Sequence, residues 1–140
     1  MSCMLRANGK NFDVDKFLKK SKLQPCAVFR RGEPKFSNKP KGKKRTSSGL
    51  NISVSNASLT NFRRQVKDAI QFIDKNKKEI KKLIQTKEIE GVELDFGTSR
   101  DEHTFVQEFA FPVELIARAG NLGLEIRLSS YPVADDKKKQ

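Results

Sequence analysis

Leu50-Asn51-Ile52-Ser53-Val54-Ser55 alternates apolar and polar residues without a break. Side chains of a strand point to opposite faces in turn, so this segment predicts a strand with one buried and one wet face. Directly after it the period changes. Leu59, Phe62, Val66, Ala69, Ile70 and Ile73 recur at steps of three and four, the stripe of an amphipathic helix, with Ser58 ahead of it as the predicted N-cap. Arg63, Arg64, Lys67 and Asp68 take the other side, with Arg64 and Asp68 spaced for a pair across one turn. Ile80, Leu83 and Ile84 continue the stripe. The helix therefore either runs to about residue 85 or breaks near Lys75-Asn76, and one long helix with a bend is the reading favoured.

Downstream of it, Val92, Leu94 and Phe96 alternate with Glu93 and Asp95, and Gly97 to Asp101 predicts a turn. Phe105, Phe109 and Phe111 predict a further strand. Pro112 suits the first turn of a helix, where its missing N–H costs nothing. Val113, Leu115, Ile116 and Ala119 give that helix its buried side, and Gly120 is its predicted left-handed end, with Leu122 folding back on the last turn. Leu124, Ile126 and Leu128 then alternate with Glu125, Arg127 and Ser129 in a last strand.

Upstream, Met4-Leu5-Arg6-Ala7 predicts a short strand stopped by the turn pair Asn8-Gly9. Asp13 to Leu18 predicts a short helix with acids in its first turn and Lys19, Lys20 and Lys22 at its end, as the macrodipole prefers. Pro25 restarts an extended segment, Cys26 to Phe29. Residues 32–48 show no hydrophobic period, are punctuated by Pro34, Pro40 and Gly42, and predict a long mobile arm.

These elements predict an α+β two-layer sandwich: a mixed or largely antiparallel sheet of five to six strands with helices on one face. Residues 1–132 are expected to form one domain, and residues 133–140 a charged, disordered tail. A chain of 140 residues suits a single core. No apolar leader opens the chain and no stretch nears the roughly 20 apolar residues of a membrane span, so the expected location is cytoplasmic, with no membrane contact.

Charge is distributed unevenly. The first fifty residues hold 14 Lys/Arg against 3 Asp/Glu, whereas the last forty hold 5 against 7, within a net charge of +12. Such a field favours polyanions or acidic protein surfaces as partners. Arg30, Arg31, Lys35, Lys39, Lys41, Lys43, Lys44 and Arg45 concentrate it, with Phe29 and Phe36 between them, so this loop is the candidate nucleic-acid site. Lys67, Lys75, Lys78 and Lys82 on the long helix would extend it.

Glu93, Asp95, Glu125 and Arg127 point outward from two strands and are the candidate protein-binding set on the polar sheet face. Paired carboxylates can also perform acid–base work, but nothing else in the chain supports catalysis. The single histidine, His103, sits on a turn beside Asp101 and Glu102, and one histidine removes His-based metal sites from consideration. Cys3 and Cys26 lack a redox spacing and are expected to be buried structural thiols. Neither a phosphate-loop spacing nor a nucleophile elbow occurs. The expectation is a non-enzymatic protein without metal or cofactor.

Phe109-Ala110-Phe111-Pro112-Val113-Glu114-Leu115-Ile116-Ala117-Arg118-Ala119-Gly120-Asn121-Leu122-Gly123-Leu124-Glu125-Ile126-Arg127-Leu128-Ser129-Ser130-Tyr131-Pro132, together with Glu93 to Gly97, Gly32 and Ser48-Gly49, resembles a family of small bacterial domains of unknown function. Members of that family look like immunity proteins of toxin–antitoxin or contact-inhibition loci. The resemblance implies an immunity-type neutraliser that binds a protein toxin by surface contact. The alternative is a small basic nucleic-acid-binding protein working through the Lys/Arg-rich loop.

Overall fold

Alternation and helical stripes resolve, in the computed structural model, into a five-stranded mixed sheet carrying three helices among the described residues, 1–133. In chain order these are β1 (Cys3–Gly9), α1 (Val14–Lys20), β2 (Ala27–Phe29), β3 (Ser48–Ser55), α2 (Phe62–Ile84), β4 (Gly91–Arg100), α3 (Val113–Leu122) and β5 (Glu125–Pro132). The sheet order is β2-β3-β1-β4-β5, antiparallel throughout except for the parallel pair β4–β5. The predicted tail lies, apart from Val133, outside the described residues.

One face of each inner strand is apolar and meets the helices. Leu5 stands between Ile52 and Leu94 in the register, and Ala7 between Leu50 and Val92. These residues pack with Phe96, Ile73, Ile80, Leu83 and Leu115 into the buried core. The predicted bend in α2 is present: Asn76 leaves helical geometry at φ −114° and ψ 19°, and its side-chain amide donates to the Phe72 carbonyl at 3.0 Å. That bond satisfies a carbonyl at the break, so the kink costs little.

In α3 only Leu115 and Ala119 are buried, whereas Val113 and Ile116, expected beside them, are exposed. Three expectations about where elements begin and end also need correction. The N-cap of α2 is Asn61, whose side chain accepts from the Arg64 N–H at 3.2 Å; Ser58 instead closes a turn by accepting from the Thr60 N–H. The end of α3 is Gly123, not Gly120. Its φ of +84° suits a residue without Cβ, and Leu124, rather than Leu122, folds back to donate to the Ala119 carbonyl at 2.8 Å.

The third correction concerns residues 97–112. No turn forms at Gly97: β4 continues to Arg100, and Gly97 to Arg100 pair with Ser129 to Pro132. Phe105, Phe109 and Phe111 lie outside any strand. The reason is topological, because a parallel β4–β5 pair needs a crossover, and residues 101–124 supply it with α3 as its helix. Phe109 and Phe111 serve the core anyway, packing edge-on against Phe62 at 5.2 and 5.3 Å, while Phe105 stands in solvent.

Candidate binding surfaces

The second set of alternating residues forms the sheet face turned away from the helices. Here β1, β4 and β5 place Met4, Arg6, Glu93, Asp95, Gly97, Arg127, Ser129 and Tyr131 side by side. Asp95 is nearly buried. It accepts from Arg6 Nε at 3.1 Å and from Ser129 Oγ at 2.6 Å. Glu93 accepts from Arg127 Nε at 2.9 Å. Glu125 is exposed at the start of β5, opposite Glu93 in the register.

The sequence-predicted set Glu93, Asp95, Glu125 and Arg127 thus does share one face, and Arg6 and Ser129 join it. Each inner carboxylate is committed to an arginine, which leaves the face close to charge balance rather than acidic. Arg6 could not be assigned to it from sequence, since 89 residues separate Arg6 from Asp95 and only the β1–β4 register brings them together.

Above the Arg6–Asp95 pair lies an open cleft of about 470 Å³, rimmed by Met1, Met4, Leu59 and Tyr131. Its floor is Gly97. A Cβ there would fall 3.0 Å from Leu59 Cδ2 and 2.9 Å from the Ser2 carbonyl oxygen, so only glycine leaves the floor clear. Gln65 holds this strand from beneath, donating from Nε2 to the Gly97 carbonyl at 2.7 Å while fully buried. The rim carries apolar surface and the base carries polar groups fixed in place, a combination that suits recognition.

At the opposite end of β1 is the basic loop, and it is a hydrogen-bonded hairpin rather than a free arm. Arg45 N–H donates to the Glu33 carbonyl at 2.8 Å, Lys35 N–H to the Lys43 carbonyl at 2.8 Å, and Pro34 bridges to Lys44. Its base is anchored: Arg30 makes a two-point contact with Asp15 at 2.8 and 2.7 Å and reaches Glu33 at 3.6 Å, while Arg31 donates to Asn11 at 3.0 Å. The bond from Arg30 holds the Asp15 carboxyl below its ordinary value of 3.8.

The eight predicted basic residues therefore divide by role. Arg30 and Arg31 fasten the hairpin, Arg45 stacks 4.7 Å above the Phe29 ring, and Lys44 donates to the Pro40 carbonyl at 2.7 Å. Lys35 lies 6.0 Å from the exposed Phe36 ring. Lys39, Lys41 and Lys43 point into solvent with no ion-pair partner among the described residues. Of the α2 lysines Lys67, Lys75, Lys78 and Lys82, the last lines a cleft near the hairpin base, together with Lys16, Lys20 and Lys87. Those three sequence reading missed, because they come from segments that only the fold assembles.

The remaining titratable candidates are simpler. His103 is exposed on its turn, its N–H donating to Asp101. Both cysteines are free. Cys3 is buried, and burial, with the charges of Asp95 and Asp68, pushes its thiol far up. Cys26 is exposed, contrary to expectation, because it precedes the edge strand β2. Among the described residues no three His, Cys, Asp or Glu side chains stand together as a metal site, and no helix is long and apolar enough to cross a membrane.

No curated protein and no solved structure matches the chain. Over residues 1–133 it matches the family described as domain of unknown function DUF4279, and it belongs to that family.

Proposed function

We propose that this protein is a non-enzymatic binding module of the immunity type, neutralising a protein toxin by covering it with the open face of the sheet. One observation carries the reading. Glu93 and Asp95 are each tied to an arginine, and the Arg6–Asp95 pair lies beneath an apolar-rimmed cleft. Such groups orient a partner and give specificity. Leu59 and Tyr131, about 36% and 46% exposed, supply the anchoring apolar area.

The test is capture of the tagged chain's partner from host lysate after nuclease treatment, followed by expression of that partner alone and together with this chain. Growth arrest by the partner alone, relieved by the wild-type chain but not by Leu59→Asp/Tyr131→Asp, is the expected result. A partner harmless on its own would remove the immunity reading. Rescue that survives the double substitution would remove the cleft from it.

A further inference from the structure

We propose that the basic hairpin and the lysine-lined cleft beside it form one site for single-stranded nucleic acid, separate from the open sheet face. The two parts are joined at Asn11. Its side chain accepts from Arg31 at the hairpin base, and the same residue lines the cleft with Lys16, Lys20, Lys82 and Lys87. A basic track therefore runs from the hairpin's free end, past Arg31, into a recess of about 420 Å³.

Charge along this track is available for a ligand. Lys39, Lys41 and Lys43 on the hairpin and Lys16, Lys20 and Lys87 at the cleft have no ion-pair partner among the described residues. Lys82 is shared with Glu79 at 3.3 Å. The nearby acids are largely occupied: Glu33 meets Arg30, Asp15 meets Arg30, and Asp13 accepts from the Lys16 backbone N–H as the cap of α1. Glu88 is the remaining acid at the cleft, on a backbone held at φ 71°.

Two further features select the ligand. Phe36 presents its ring to solvent at 54% exposure on a hairpin already ordered by its own backbone bonds. An exposed ring flanked by lysines stacks on an unstacked base while the cations meet the backbone, which a duplex with its bases hidden cannot offer. The recess matches small-ligand pockets of about 300–1,000 Å³ and has Phe17 as an apolar wall, room for one phosphate with its attached sugar and base. An acidic polypeptide would use the lysines but would have no use for Phe36.

The test is fluorescence anisotropy on the purified chain with labelled 20-mer oligo(dT) and oligo(U), a 20-bp duplex, and polyglutamate. It needs no protein partner, so its outcome is independent of the sheet-face reading. Single strands should bind in preference to duplex. Affinity should fall with salt at a slope near −0.7 per phosphate contacted. Phe36→Ala should weaken single-strand binding about tenfold and leave the salt slope and polyglutamate unchanged. Lys39→Gln/Lys41→Gln/Lys43→Gln and Lys16→Gln/Lys20→Gln/Lys87→Gln should each flatten the slope by about two, and the matching Lys→Arg triples should restore it. Four results would overturn the proposal: no binding near physiological salt, equal binding of polyglutamate, indifference to Phe36→Ala, or indifference to the cleft triple.

Discussion

The two ends of β1 carry surfaces built in opposite ways. At the Cys3 end, the cleft rests on the core: Gly97 is held by buried Gln65, and Phe96 behind it packs edge-on with Phe62 and Phe111 at 5.7 and 5.6 Å. At the Gly9 end, the hairpin rests on its own backbone bonds and on one exposed ion pair to α1. The floor of the first surface cannot change without disturbing the fold. The second can vary at little cost to the fold, because little of the core depends on it.

The sharpest way to break this contrast is to cut into the cleft's support. Phe96→Ala should cost about 3–5 kcal/mol in urea denaturation, as for other fully buried aromatic truncations. Gln65→Ala, which strands the Gly97 carbonyl, should cost about 1–3 kcal/mol by the same measurement. Asp95→Asn keeps the shape and the Ser129 contact but removes the charge facing Arg6, and about 1.5 kcal/mol should be lost. At the other end, replacing residues 35–43 by an Asn-Gly turn between the bridged Pro34 and Lys44 should change stability by less than about 1 kcal/mol. A cost matching that of Phe96→Ala would show that the hairpin belongs to the core after all.

The smallest effect is acidic. Asp15 titrates below its ordinary 3.8 because it bonds to Arg30, so its contribution is complete above that value and is lost as pH falls through the lower folded one. Protection factors of the amides in residues 32–45 should therefore fall below about pH 4, ahead of global unfolding followed by circular dichroism, and Asp15→Asn should lower them already at neutral pH.

What could be read in advance was whatever neighbouring residues decide. The alternations of β3, β4 and β5, the stripe of α2 and its bend at Asn76 are local patterns, and each became the element expected. Choices between near-equal local signals were harder. Ser58 and Asn61 both suit an N-cap, and Gly120 and Gly123 both suit a helix end; packing of Leu124 decides the second. Residues 105–111 alternate like a strand but belong to the crossover that the parallel β4–β5 pair requires. For the surfaces, the outward residues of β4 and β5 were legible by parity. Arg6, Leu59 and the cleft lysines were not, since register and helix placement assemble them from distant segments.

The position of β1 has a consequence for biosynthesis. It is the earliest strand of this chain to be made and the middle one of the sheet, with a neighbour such as Asp95 lying 89 residues beyond Arg6. At translation speeds of about 5–20 residues per second, Leu5 waits on the order of ten seconds for its second flanking strand. A ribosome stalled before β4 would thus display an apolar segment that the finished protein hides, the kind of surface that chaperones bind.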